Sequence, residues 1–336
     1  MRRLWFIIVP FIFAACSLID DDLTVCGEDV LLDYQLQLHT ELSMQLQTEL
    51  MTETEEPVRN ALSKWLAPIF TETAKDVDLR FFSTESDDIR YWIQEVINRR
   101  QRRYTIQLPK ENYMHLGIAN LADNNHLQLV DGEHSATMAL RLPEDVEEVS
   151  SLNTGVFSAR MPMVIGDSSQ TFEVRLYMTT CAVALVIDTT FCDSLVSIEG
   201  KMIGSAVGFM VNDSSYIYNK DFRIVMDSVA VERIIPQYIG RRAPGDPARD
   251  TYMCLAASSF PTQDNQAWQM EVKTTLTGNR HTTTRLEITD PLKAGALRIV
   301  RLHVDGQGGV QPVQGTEVGV SVTLDWKDGG THDIDL

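Results

Sequence analysis

Apolar and polar residues alternate along much of the chain with the period of a β-strand. In the first such stretch, Leu32, Tyr34, Leu36 and Leu38 occupy every second position between polar residues. Successive side chains of a strand point to opposite faces, so this alternation predicts a half-buried strand. Further short strands are predicted over residues 77–82, 104–108, 113–120, 137–142 and 157–165.

Two stretches of the first half have helical spacing instead. Residues 54–57, with the sequence Thr-Glu-Glu-Pro, combine a capping hydroxyl, early acidic residues and a proline, as is typical of a helix start. The apolar residues that follow at helical spacing are Val58, Leu62, Trp65, Leu66 and Ile69. A second short helix is predicted from the spacing of Ile89, Trp92, Ile93, Val96 and Ile97. The type of residues 42–50 stays open, because their leucines fit a strand or a helix.

The second half alternates more clearly. One apolar phase runs through residues 172–178, and the opposite phase begins at Cys181, after Thr179 and Thr180. Such a change of phase predicts a bulge, or a strand that leaves one sheet for another. The polar residues 166–170 resemble a linker and predict a domain boundary. Clean alternation returns in residues 268–276, 286–288 and 318–326.

These patterns predict a mainly β protein with two domains. Short alternating strands, separated by turns rich in Gly, Pro and Asp, favour sandwiches over a parallel α/β sheet. The 336 residues are enough for two domains, and the 44% hydrophobic content supports packed cores. We therefore expect an N-terminal sandwich over residues 30–166, with one or two short helices, and a C-terminal sandwich over residues 170–336.

The first residues have the parts of an export signal. Arg2 and Arg3 precede an apolar run that is too short to span a bilayer, for which a helix needs ~20 apolar residues. Residues 13–16, Phe-Ala-Ala-Cys, resemble a bacterial lipobox, in which the cysteine is acylated and becomes the first residue of the mature chain. We expect residues 1–15 to be a signal peptide and Cys16 to be lipidated. The alternative is an ordinary signal peptide with a cysteine nearby.

An acidic tether, residues 16–29, follows the expected lipid. Asp20, Asp21 and Asp22 are compatible with a solvated tether or a cation site, and in this position they resemble a sorting signal for the outer face of the outer membrane. The formal net charge of the whole chain is −18. A protein this acidic repels nucleic acid and anionic lipid heads. We therefore expect acyl chains to hold the protein on the membrane and expect no nucleic-acid partner.

Cysteines and basic residues leave two questions open. Cys26, Cys181, Cys192 and Cys254 would allow three pairings, and none has CxxC or zinc-ligand spacing. They are expected to be mainly small buried residues, with a disulfide as the alternative. The basic cluster from Arg99 to Arg103 suits a solvated helix end or, in an exported protein, cleavage by a trypsin-like protease.

Catalytic signatures are missing from the sequence. It contains no GxSxG, Walker, HExxH or dinucleotide-binding pattern. His126 and His134 are read as loop residues, and the loop from Asp305 to Gly309 as a flexible connection. Asp188 has no carboxylate partner nearby in sequence. We therefore predict no enzyme activity, no catalytic residue, no metal site and no cofactor.

The chain resembles the fimbrial anchor lipoproteins of the type V pilus family, which lie at the base of fimbriae in Bacteroidales. The resemblance is carried by Cys16 with residues 19–23 and Cys26, and by residues 30–38, 77–82, 104–113, 172–187, 291–295 and 324–329. The turn over residues 109–113 departs from the pattern, because a glycine is expected there. The resemblance implies two transthyretin-like β-sandwiches, a palmitate-type lipid anchor and attachment of a fimbrillin polymer to the outer membrane, with a role in limiting its length.

The terminal strand is the candidate filament contact, because its alternation is uninterrupted and a strand edge can pair with a partner strand. Its residues are Val318, Val320, Val322, Leu324 and Trp326. Two other classes stay open. A glycan-binding surface lipoprotein would expose tryptophans, whereas Trp65, Trp92, Trp268 and Trp326 lie in apolar phase and are expected in the core. A lipid-anchored hydrolase would need a dyad assembled from distant residues.

Overall fold

The computed structural model describes residues 29–39, 56–71, 73–96, 103–218, 222–231, 252–313, 319–325 and 331–335. These residues form one helix, α1 (Glu56–Leu66), and a series of strands. The strands of the first half are β1 (Val30–His39), β2 (Asp76–Ser83), β3 (Ile89–Val96), β4 (Arg103–Leu108), β5 (Asn112–Ala119), β6 (Gln128–Val130), β7 (Ala139–Arg141), β8 (Glu148–Ser150) and β9 (Phe157–Val164).

The second half adds strands β10 to β23. They are β10 (Gln170–Met178), β11 (Cys181–Asp188), β12 (Leu195–Ile203), β13 (Gly208–Met210), β14 (Ser215–Ile217), β15 (Arg223–Val225), β16 (Asp227–Val229), β17 (Tyr252–Ser259), β18 (Trp268–Leu276), β19 (Arg280–Ile288), β20 (Leu297–Val304), β21 (Val310–Pro312), β22 (Gly319–Asp325) and β23 (Thr331–Asp335). The predicted mainly β fold is confirmed.

The first sandwich is one sheet folded into two layers. Its strand order is β3-β2-β5-β9-β10-β1-β4. Strands β9 and β10 pair only at Tyr177↔Ser158 and Met178↔Phe157, so the sheet splits along the rest of their length. Across the resulting layers, the rings of Tyr34 and Phe81 meet edge to face, with centroids 6.1 Å apart. The inward rows of both layers form one apolar core, as the alternation predicted.

The second sandwich packs two further sheets face to face. One has the order β16-β17-β11-β20-β21, and the other has the order β23-β22-β19-β18-β12-β15-β8. Strand β11 is buried along nearly its whole length, because the second sheet covers one of its faces and α1 covers the other. Its continuous apolar sequence fits a central strand that is covered on both sides.

The two halves of the chain are interlocked by short strands. Strand β7 of the first half pairs with β13 in a small sheet of order β14-β13-β7-β6. Strand β8, also of the first half, pairs in parallel with β15 at the border of the second sandwich. Strands β7 and β8 of the first half thus bring apolar side chains into the core of the second sandwich, which is separate from the core between the two layers of the first sandwich.

The change of sheet occurs at Thr179 and Thr180, where the apolar phase reverses in the sequence. Strand β10 belongs to the first sandwich and β11 to the second, so the predicted exchange of sheets is observed. Residues 166–169 instead connect two strands of the first sheet, β9 and β10. The expected boundary at 166–170 therefore does not coincide with the change of sheet, and the domain limits stay a prediction.

Helix α1 forms where its start signals and apolar spacing predicted it. Val58, Leu62 and Leu66 are buried, but they pack against the second sandwich rather than the first. The indole N–H of Trp65 donates to Oδ2 of Asp227 on β16 at 3.2 Å. After the helix, the backbone N–H of Gly155 donates to the Pro68 carbonyl at 3.4 Å, and a Cβ on residue 155 would collide with the Ile69 carbonyl oxygen. The helix thus joins the two sandwiches.

The second predicted helix is wrong, because residues 89–96 form strand β3. Ile89, Tyr91 and Ile93 alternate in strand phase and are half-buried, whereas Trp92 faces the other side. The apparent helical spacing arose because Ile89 and Ile93, on one face of the strand, combine with Trp92, on the other face. Pairing with β2 along its length settles the strand conformation. Residues 42–50 and 99–102 lie outside the described residues.

Candidate functional site

The amino-terminal end of the described chain lies at one extremity of the first sandwich. Val30, the first residue of β1, pairs with Leu108, the last residue of β4. Strand β10 runs parallel to β1, starting with Gln170 beside Leu32. Both strands therefore run from this extremity toward the point where the chain enters the second sandwich. A tether ahead of residue 29 would emerge at the end away from that junction.

The chain path that starts at β1 and β10 continues through β11 in the second sandwich, and its opposite end lies at Asp188, the last residue of β11. Oδ1 of Asp188 accepts hydrogen bonds from the backbone N–H and the hydroxyl of Thr190, which closes the next turn. The backbone N–H of Thr277 donates to the carbonyl of Ser194 at 2.7 Å, which brings the β18–β19 hairpin to this end. Asp325, the last residue of β22, pairs with His281 just after that hairpin. The end of the second sandwich thus gathers several loops.

The candidate filament strand has neighbours on both sides. Strand β22 pairs with β19 on one side, with Val320 opposite Leu286, and with β23 on the other side, with Leu324 opposite His332. The expectation that β22 is an edge strand is therefore wrong. After Asp328 and two glycines the chain returns as β23, which is the outermost described strand of this sheet. Val322 lies inside β22, whereas Val318 and Trp326 lie outside the described residues.

The expected membrane-end residues are Cys16, Asp20, Asp21 and Asp22. They and Cys26 lie outside the described residues. Cys181, Cys192 and Cys254 are buried and free, in agreement with the expectation of small core residues. Burial raises the pKa of Cys181 and of Cys254 to about 12 each, so both thiols are protonated and poorly nucleophilic at neutral pH.

A buried polar cluster in the first sandwich was missed by sequence reasoning. The Tyr34 hydroxyl and Nε2 of His115 are 2.7 Å apart, and Nδ1 of His115 is 3.0 Å from the Arg80 carbonyl. Phe81 stacks on the imidazole with centroids 4.3 Å apart. Burial lowers the pKa of His115 to about 4, so the ring is neutral at pH 7. The sequence signal that could have revealed this cluster is His115 itself, a histidine at an inward position of the strand predicted over residues 113–120.

An exposed tryptophan marks the β3 edge of the first sandwich. Trp92 is 51% exposed, so the expectation that it lies in the core is wrong, whereas Trp268 is buried as expected. The Trp92 indole N–H donates to Oδ1 of Asp78 at 3.1 Å, and the guanidinium carbon of Arg80 lies 4.6 Å from the ring centroid. Arg80 in turn holds both carboxylate oxygens of Asp78 and bonds the Gly132 carbonyl. This network fixes one exposed indole in place.

The loop histidines form hydrogen bonds of ordinary loop type. Nε2 of His126 lies 2.7 Å from the Ser150 hydroxyl, and Nδ1 of His134 lies 3.3 Å from the Asp87 carbonyl. Oδ1 of Asp305 accepts the backbone N–H groups of Gln307 and Gly309, so this loop closes on itself. In the described part of the chain, no group of His, Cys, Asp and Glu side chains has a metal-binding arrangement. None of the described helices is long and apolar enough to span a membrane.

Comparison with known proteins gives matches at the level of structure. No protein-family model matches the sequence, and no curated protein matches it. A candidate adhesin from Bacteroides ovatus superposes with a TM-score of 0.53 at 10% identity, over 91% of this chain and 96% of that chain. A candidate polysaccharide-binding protein (DUF1812) from Bacteroides thetaiotaomicron VPI-5482 gives a TM-score of 0.52 at 11% identity, over 91% and 98% of the two chains.

A third similar structure is the fimbrial anchor protein Mfa2 from Porphyromonas gingivalis. It matches at a TM-score of 0.48 and 11% identity, over 88% of this chain and 97% of that chain. The neighbours with TM-scores above 0.5 are described as candidate adhesins and as a candidate polysaccharide-binding protein, and this chain shares their fold. At such identities the likeness establishes a shared fold, and the assignment of that fold rests on the two neighbours with higher TM-scores.

Proposed function

We propose that this chain is a lipid-anchored fimbrial subunit that attaches a fimbrillin filament to the outer membrane, on the outside of the cell, and limits the length of that filament. Acyl chains on Cys16 supply the membrane hold, and durable anchoring takes more than one chain. Asp20, Asp21 and Asp22 direct the lipoprotein to the outer face. No catalysis is part of this role, because holding a filament requires only stable folds and an extended contact.

The observation that best supports the proposal is the separation of the two ends of the fold. The chain enters at Val30, at the extremity of the first sandwich away from the junction. Strands β11 and β22 finish at the other end of the chain path, in the second sandwich, at Asp188 and at Asp325 opposite His281. A subunit that joins a membrane to a filament needs its two attachments at separate places, and this chain order provides them.

The filament contact is proposed at the C-terminal border of the second sandwich. Strand β23 is the outermost described strand there, and in the described residues its outer side has no neighbouring strand. An added strand gains main-chain hydrogen bonds from such an edge, while alternate side chains give specificity. Of the predicted contact residues, Val320, Val322 and Leu324 lie in β22, the strand next to this edge, and would act from there, or at the edge itself if β23 is displaced. Val318 and Trp326 lie outside the described residues and stay part of the proposed contact by their sequence pattern alone.

The test is deletion of this protein in a fimbriated strain. Fimbrillin subunits should still polymerise, because polymerisation needs only contacts between subunits. The filaments should be released into the medium and be longer than normal, since no terminal subunit holds them or ends their growth. Filaments that stay on the cell at normal length would contradict the proposal.

A second candidate function is glycan binding at the cell surface, and the exposed, fixed indole of Trp92 favours it. Sugar rings stack on aromatic faces, and one neighbour of this chain by fold is described as a candidate polysaccharide-binding protein. Trp92→Ala would abolish retention on an immobilised polysaccharide, and Trp92→Phe would partly restore it. Phe191→Ala is the matched control, because Phe191 is 70% exposed at a distant loop. Equal retention of all variants would remove this candidate.

A further inference from the structure

Strand β1 is the element through which tension on the amino terminus enters the fold. Residue 29 precedes it directly, and β10, its parallel neighbour, continues through Thr179 and Thr180 into the second sandwich. We propose that the β1–β10 pair is a mechanical clamp that carries tension between the membrane end and the filament end. The physiological meaning of this inference rests on the proposed function, but the mechanical property itself does not.

The clamp follows from the direction of the two strands. They are parallel, with register pairs from Leu32↔Gln170 to His39↔Tyr177. Tension pulls β1 from its N-terminal end and β10 from its C-terminal end, and in a parallel pair these ends lie at opposite ends of the ladder. The force therefore runs along the strands, whereas the hydrogen bonds run across them. Most of the hydrogen bonds between β1 and β10 must therefore break at the same time, because they share the applied force.

The other side of β1 is also paired. Strand β4 runs antiparallel to it, from Val30↔Leu108 to Gln35↔Arg103. Withdrawal of β1 toward its N-terminus must therefore break two ladders together. Each hydrogen bond contributes only about 1 kcal/mol net, so the resistance comes from the number that must break in one step.

The side chains of β1 oppose sliding as well. Val30, Leu32, Tyr34 and Leu36 are buried in the core of the first sandwich. A shift by one residue would turn this apolar row to the solvent, and a shift by two would move each side chain into a site shaped for another. The hydrogen bond between Tyr34 and His115 reaches the opposite layer and fixes the register at the centre of the strand.

Single-molecule force spectroscopy with two pulling geometries tests the clamp. The chain from residue 16 onward carries one handle at its first residue and a second handle at Phe191 or at Ser168. Phe191 follows β11, so tension passes through β11 and β10 and loads the β1–β10 pair in shear. Ser168 is exposed and precedes β10, so the same pair is peeled apart from one end.

We expect the rupture force in the shear geometry to be roughly twofold higher or more, because the bonds then break together rather than in sequence. Tyr34→Phe should lower the shear force, whereas Tyr104→Phe should leave it unchanged, since the buried Tyr104 hydroxyl has no hydrogen-bond partner among the described residues. Equal forces in the two geometries, or a lower force in shear, would overturn the clamp. The comparison of geometries needs no core substitution, so a misfolded variant cannot obscure it.

The result can be separated from the test of the proposed function. The force measurement uses neither membrane nor filament, so a weak pair would remove the clamp and leave the filament anchor in place. If the β1–β10 pair resists force in shear but filaments are retained normally after deletion of the protein, the clamp is supported and the anchor role is contradicted.

Discussion

The Tyr34 hydroxyl donates a hydrogen bond to Nε2 of His115 across the first sandwich, with 2.7 Å between the two atoms. The direction of this hydrogen bond follows from the partner of the other ring nitrogen, Nδ1. A carbonyl oxygen only accepts, so Nδ1 of His115 must donate to the Arg80 carbonyl, which leaves Nε2 of the neutral ring as an acceptor. One buried bond thus links β1 in one layer to β5 in the other.

Removing the Tyr34 hydroxyl should destabilise the protein. Tyr34→Phe keeps the ring but leaves Nε2 of His115 buried without a donor, which costs roughly 1–3 kcal/mol. Tyr104→Phe is the matched control, because in the described part of the chain the buried Tyr104 hydroxyl has no hydrogen-bond partner and its removal should be neutral or stabilising. Denaturant unfolding followed by circular dichroism gives both values. Equal losses in the two variants would show that the Tyr34–His115 bond contributes nothing.

The free energy of unfolding should fall in mild acid because of His115. Burial lowers its pKa to about 4 in the folded protein, against 6.5 for an ordinary histidine side chain. Between these values the unfolded chain binds more protons, so stability falls as the pH drops from 6.5 to 4. The full shift corresponds to about 3 kcal/mol.

The control for this pH dependence is His115→Gln, whose side-chain amide can accept from Tyr34 and donate to Arg80 without titrating. Burial raises the pKa of Asp76, which acts in the opposite direction, but this group is present in both proteins and cancels in the difference. Unfolding curves from pH 4 to pH 7.5 should therefore diverge in acid. Identical pH profiles for the two proteins would refute the role of His115.

Helix α1 should stabilise the second sandwich, although it lies in the first half of the chain. Leu62 is fully buried against the sheet that contains β11 and β17, so Leu62→Ala should cost about 2–5 kcal/mol. Lys64→Ala changes an exposed position of the same helix and should stay within roughly 0.5 kcal/mol of the parent protein. Chemical denaturation compares the two. A small effect of Leu62→Ala would mean that the helix does not cover that sheet.

Local patterns in the sequence predicted α1 and many of the strands, although not β3, β12, β17 or β20, because period and capping are properties of neighbouring residues. The phase reversal at Thr179 and Thr180 even predicted the exchange of sheets. The docking of α1 on the second sandwich was not predictable, since an apolar helix face does not specify which sheet it covers. For the same reason the pairing of β22 with β23, and the partners of His115, required the three-dimensional arrangement.

Membrane attachment should depend on Cys16. Cys16→Ala should release the protein from the outer-membrane fraction or leave it as an unprocessed precursor, because the acyl chains are the proposed hold. Cys26→Ala, a second cysteine of the same acidic segment, is the matched control and should stay on the membrane. Fractionation and immunoblotting follow both variants. Correctly processed Cys16→Ala protein that remains in the outer membrane would contradict the lipid anchor.

The most direct test of the filament role is the position of this chain on intact fimbriae. Filaments extracted gently with detergent, together with membrane fragments, can be labelled with an antibody to the second sandwich and viewed by electron microscopy. The account predicts gold particles at one end of each filament, the end that adjoins the membrane. Label along the whole filament, at the free tip, or on membranes without filaments would contradict it.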